Sequence, residues 1–118
     1  MELQIVTISV ASLATARRFY EGILGFVPDL YYEPTRWQSY RLEGNGGFAV
    51  IETPALGRVP TSDIVNFTVG DVESLWSRIK DQVDVEFALA PTPWGTYKFV
   101  VRDPDGFRLG FAGRRENQ

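Results

Sequence analysis

The sequence predicts an α+β fold, two βαβββ modules whose strands form a curved, mostly antiparallel eight-stranded sheet with helices on the convex side. Two observations predict it. The first half reads as strand, helix and three more strands, and the pattern then restarts half a chain later, with Val65 repeating Val6 and Asp71 repeating Ser12. At 118 residues the chain has the length of a single domain, 1–118, built of repeats over about 1–54 and 62–114.

Residues 3–10 alternate. Val6, Ile8 and Val10 share one face and Ile5, Thr7 and Ser9 the other, as a strand with one face on a core requires. Ser12 offers a hydroxyl to the first amides of a helix. Leu13, Ala16, Tyr20 and Ile23 then recur at helical spacing until Gly25 stops the run. After Pro28, apolar-rich runs at 29–33, 37–42 and 48–52 read as a three-stranded meander, broken by Glu33-Pro34-Thr35 and by the turn residues 43–47. A joint near 55–63 holds Gly57 and Pro60. In the second module Val65, Phe67 and Val69 alternate, and Val72, Leu75 and Ile79 stand where Leu13, Ala16 and Tyr20 stood. Strands at 84–88, 96–102 and 107–112 complete it, the last two joined by the turn Asp103-Pro104-Asp105-Gly106.

Composition removes several function classes. The net charge of -3 and the absence of any Lys/Arg run longer than two leave no basic stripe for nucleic acid. With no Cys there is no disulfide, thiolate metal site or Cys nucleophile. The opening MELQIVTISV has neither a basic leader nor a long apolar run, so a cytoplasmic protein with no membrane partner is expected.

Ser9-Val10 through Leu13, then Ala16, Phe19-Tyr20 and Leu24-Gly25-Phe26, resembles the opening of the vicinal oxygen chelate proteins, the glyoxalase and bleomycin-resistance group. The likeness continues through Phe67-Thr68-Val69-Gly70-Asp71-Val72, Pro93-Trp94-Gly95 and Asp103-Pro104-Asp105-Gly106, and so covers nearly the whole chain in order. The resemblance implies the glyoxalase/bleomycin-resistance fold. In metal-dependent relatives such as glyoxalase I, inward side chains on four strands hold a divalent ion, usually His or Gln, then Glu, His and Glu. Carried over by strand register, those positions fall on Ile5, Glu52, Ile64 and Gly110, so only Glu52 retains a ligand. A catalytic metal needs about three protein ligands plus an open position, and this chain contains no His. No metal and no cofactor are therefore expected.

What remains is a mixed cavity. Thr7 and Ser9 share the face of Ile5, Asn66 and Thr68 that of Ile64, and Phe48 and Val50 that of Glu52. Trp37, Ser39 and Arg41 share one face of the third strand, and Trp94 precedes the penultimate strand. Aromatic walls suit a flat or conjugated ligand oriented by a few polar groups. The candidate ligand-binding set is Thr7, Ser9, Trp37, Ser39, Arg41, Phe48, Val50, Glu52, Asn66 and Trp94.

Structural roles compete for several of these. Glu52 can point to solvent or pair with Arg41, and Trp37 and Trp94 can serve a dimer contact instead of a ligand. Trp76 reads as helix packing, Asp103 and Asp105 as turn formers. Of Tyr31 and Tyr32, which straddle opposite faces, at most one sees the cavity.

Three functions follow. The resemblance to the bleomycin-resistance branch implies a metal-free binder holding an aromatic or cationic ligand, an antibiotic for instance, in the groove of a homodimer. The alternatives are a metal-independent isomerase, lyase or cyclase using Glu52, its pKa raised by apolar neighbours, as catalytic general base, and a structural or regulatory dimer with a vestigial cavity. Whether the modules pair within a chain or swap between chains is left open.

Overall fold

The computed structural model describes residues 1–44, 46–58 and 62–114. Asn45 of the expected turn and Pro60 of the expected joint lie outside them. The chain divides into two compact units, Met1–Arg58 and Val59–Gln118. The first contains β1 (Val6–Val10), α1 (Leu13–Arg17), β2 (Val27–Tyr32), β3 (Trp37–Arg41) and β4 (Phe48–Glu52). The second contains β5 (Ile64–Thr68), α2 (Val72–Ile79), β6 (Asp84–Pro91), β7 (Tyr97–Arg102) and β8 (Arg108–Gly113). Among the described residues the eight strands form two four-stranded mixed sheets, ordered β1-β4-β3-β2 and β5-β8-β7-β6. In each the first pair is parallel and the rest antiparallel.

Both helices start where a side-chain oxygen meets free amides. Ser12 Oγ accepts from Thr15 N at 3.2 Å and Asp71 Oδ1 from Ser74 N at 3.0 Å. The first helix does not continue as an α-helix to Gly25. It widens into a π-helix at Arg18–Ile23, where Leu24 N bonds Phe19 O at 2.9 Å. Gly25, at φ 80°, ends it, and Phe26 N reaches back to Tyr20 O at 2.8 Å. The wider turn seats Phe19, Tyr20 and Leu24 in the core, where the Tyr20 ring lies 5.3 Å from Phe48 and 6.1 Å from Tyr40.

The strand ends follow their partners. β1 starts at Val6, later than its alternation suggests, because β4 offers no partner before Phe48, and Gly47 O takes the Val6 N–H at 2.9 Å. β2 begins earlier, at Val27, and bulges between Pro28 and Tyr31. As the outer strand of its sheet it tolerates a proline. β6 runs on to Pro91 with two register shifts.

The second unit packs Phe111 between Phe67 and Phe99, each at 5.2 Å, with Trp76 of α2 5.1 Å from Phe99. Trp76 is therefore a packing residue. The Asp103 carboxylate, buried at 3% exposure, accepts the N–H groups of Asp105 and Phe107, both at 2.9 Å, and so builds the turn before β8.

Candidate functional site

Each sheet has one face under its helix and one open face, and strand parity decides which side chains reach each. In the first unit Tyr40 and Phe48 meet Tyr20 on the helix side. Trp37, Ser39 and Arg41, alternating with Tyr40, therefore occupy the open face. Trp37 stands opposite Ile51 and Ser39 opposite Ala49. Thr7 and Ser9 stand opposite Ala49 and Ile51 on the other side of β4. Trp37 Nε1 donates to Thr7 Oγ1 at 3.2 Å, so the Trp37 side chain reaches across β4 to β1.

Beside that indole opens a groove of about 590 Å3, lined by Gln4, Ile5, Asp29, Leu30, Trp37, Ser39, Arg41 and their neighbours. Its size is that of small-molecule sites. At its rim Arg41 Nη2 pairs with Asp29 Oδ1 at 3.2 Å. The Ser39 hydroxyl is engaged by the bulge, accepting from Leu30 N at 3.0 Å. Tyr31 lies under Arg17, whose guanidinium sits 4.7 Å from the ring centre, whereas Tyr32 stands opposite Trp37. Asp29, Leu30 and Gln4 were missing from the candidate set. The signal for Asp29 was the alternation Val27, Asp29 before the bulge.

Three candidates face the other way. Parallel pairing sets Phe48 beside Val6, Val50 beside Ile8 and Glu52 beside Val10, all on the helix side. Phe48 and Val50 are core residues, 1% and 0% exposed. Glu52 Oε2 accepts the Leu13 N–H at 2.8 Å and Oε1 meets Arg36 Nε at 2.8 Å. Glu52 thus caps α1 and pairs with Arg36, not Arg41. Its pKa is lowered, chiefly by the Leu13 N–H and further by Arg36, against an opposing desolvation. A general base with a raised pKa is the reverse of what this environment makes.

The open-face positions of β4 are Ala49 and Ile51, both hydrocarbons. Ile5, Ile64 and Gly110 likewise offer no donor atom, so the side chains at the superfamily's ligand positions do not fit a divalent ion. Among the described residues no group of three or more His, Cys, Asp or Glu is placed to hold one.

The open face of the second unit carries Ile64, Asn66 and Thr68 opposite Arg108, Gly110 and Ala112, with Lys98, Val100 and Arg102 on β7. A groove of about 440 Å3 opens here, lined by Ile64, Phe87, Ala90, Pro91, Lys98, Val100, Arg108 and neighbours. Lys98 and Phe87 were also missed, although Lys98 alternates with the inward Tyr97, Phe99 and Val101. Trp94 stands 72% exposed in the loop after β6 and lines neither groove.

A family model for the Glyoxalase/Bleomycin resistance protein/Dioxygenase superfamily matches residues 2–111. Among solved structures, the chain is similar to an integron cassette protein from the mobile metagenome of Halifax Harbour Sewage Outfall, with 24% identity, TM-score 0.77, and 95% of this chain and 97% of that chain covered. It is also similar to TioX from Micromonospora sp. ML1, with 21% identity, TM-score 0.77 and coverages of 97% and 99%. A protein of unknown function from Agrobacterium tumefaciens str. C58 gives 19% identity, TM-score 0.82 and coverages of 96% and 94%. At these identities the structural likeness speaks for the fold alone. No curated protein sequence matches the chain. The family model, spanning both modules, places this chain in the Glyoxalase/Bleomycin resistance protein/Dioxygenase superfamily.

Proposed function

We propose that the protein is a metal-free small-molecule binder that holds a planar aromatic ligand, an antibiotic for instance, in the groove of the first unit. The observation that carries this reading is the Trp37 indole, tethered on the open face by its hydrogen bond to Thr7 beside a groove of about 590 Å3. A fixed ring offers a stacking surface at little entropic cost on binding. Asp29 at the rim gives a cationic substituent a carboxylate to approach, beside Arg41. The groove is not filled by side chains, which favours binding over a vestigial cavity. With both Glu52 oxygens occupied, the enzyme alternative loses its base. The proposal includes a homodimer, supported by the outer strand β2, which leaves Val27, Leu30, Tyr31 and Tyr32 exposed.

Titrating metal-stripped protein with a panel of aromatic antibiotics, and following tryptophan fluorescence, tests the proposal. Saturable quenching at one ligand per subunit is expected, unchanged by added divalent ions and weakened about tenfold or more by Trp37→Ala. Binding that requires metal, or that ignores Trp37→Ala, rejects it.

A further inference from the structure

The groove on the second unit differs in charge from the protein as a whole. The chain carries a net -3, yet the charged residues lining this groove are both cations, Lys98 and Arg108. Arg108 is already satisfied, with Nε 2.6 Å from Glu86 Oε2 and Nη1 donating to Ser62 O at 3.1 Å. Lys98 is half-buried, and among the described residues its ammonium has no hydrogen-bond or ion-pair partner. Its position depends on Gly110. A Cβ on that residue would sit 2.9 Å from Lys98 Cε and 2.3 Å from Asn66 Oδ1, so the lysine stem and the Asn66 amide occupy the space a side chain would fill. Around them stand Ile64, Ala90, Pro91, Val100 and Phe87, the last 58% exposed.

We propose that this second groove binds a small amphipathic carboxylate, with Lys98 receiving the anionic group and the apolar wall receiving the body. A partly desolvated ammonium without an acceptor gains most from an anion, and a charge-assisted bond is roughly twice as strong as a neutral one. A single free ammonium in an apolar wall matches a monoanion with a hydrophobic body. A phosphate dianion would call for more donors than this wall supplies. The Asn66 side-chain amide, which flanks the same Gly110 as the lysine stem, would orient the carboxylate. The site is drawn from residues of the second unit alone, so the proposal does not rest on the Trp37 groove.

Isothermal titration of the full chain with 2-naphthoate and with its neutral analogue 2-naphthamide tests this. The carboxylate should bind saturably and the amide about tenfold or more weaker. Lys98→Met, which keeps the stem, should remove that preference, and Lys98→Arg should restore part of it. Gly110→Glu, which places an internal carboxylate beside Lys98, should abolish naphthoate binding. Trp37→Ala should leave it unchanged, which separates this site from the aromatic groove. Failure of naphthoate to bind, equal affinity for the amide, or full binding by Lys98→Met each overturns the proposal.

Discussion

The carboxylate of Glu52 closes the first turn of α1, with Oε2 2.8 Å from the Leu13 nitrogen and its other oxygen on Arg36. A carboxylate at a helix N-terminus satisfies a free amide and the positive end of the helix dipole together. The interaction needs the ionised form, which is why the pKa is lowered. Its stabilisation is complete above the unfolded carboxylate pKa and is lost as pH falls through the lower folded value. Glu52→Gln should therefore lower Tm at neutral pH, and the gap to wild type should close on acidification. Thermal melts at stepped pH measure this. A gap that widens in acid contradicts the assignment.

The two faces of β4 differ in cost. Phe48→Ala removes a ring packed on Tyr20 and should destabilise by about 3–5 kcal/mol in urea unfolding. Ile51→Ala, at a half-exposed position of the open face, should cost less than half of that. The reverse ranking would place the wrong residues in the core.

Thr7→Val removes the acceptor for Trp37 Nε1 with little change in shape. The net loss in stability should be about 1 kcal/mol. Affinity for aromatic ligands should fall severalfold, because the indole is no longer tethered to β1. Equal affinity in the two proteins would show that the hydrogen bond does not position the ring.

Glycines 113 and 22 should respond oppositely to alanine. A Cβ at Gly113 would lie 2.1 Å from Val69 O, a backbone atom that cannot swing aside, whereas Gly22 has open space. Gly113→Ala should cost at least about 1–3 kcal/mol, and Gly22→Ala should be neutral or stabilising by about 0.4–1 kcal/mol. Chemical denaturation of the two variants checks both signs.

The strands, both helix starts and the Asp103 turn were legible because each rests on local chemistry: period-two alternation, a hydroxyl or carboxylate at an N-cap, a Pro-Asp-Gly turn. The face of β4 was not. Phe48, Ala49 and Val50 are all buried, so their pattern does not distinguish helix side from open side, and a strand covered on both faces carries no period-two signal. Pairing with β1 settles the parity, and a shift of one residue moves every side chain to the opposite face. That single ambiguity placed Phe48, Val50 and Glu52 in the cavity. On β3 the alternation was readable, since Trp37, Ser39 and Arg41 differ plainly from the inward Tyr40. The π-helix left no comparable mark, because Phe19, Tyr20 and Leu24 satisfy an apolar helical pattern under either winding.

Each sheet ends in a parallel pair whose strands are far apart in sequence, Val6 meeting Phe48 and Val65 meeting Leu109. The neighbouring antiparallel strands are joined by short connections and can zip locally, whereas β1 and β5 dock only after a long loop closes. The order of assembly expected within a module is therefore meander first, with the opening strand docking onto it afterwards. Amides of β1 and β5 should accordingly gain hydrogen-exchange protection last on refolding, and the residue that starts each module is the one whose place is decided at the end.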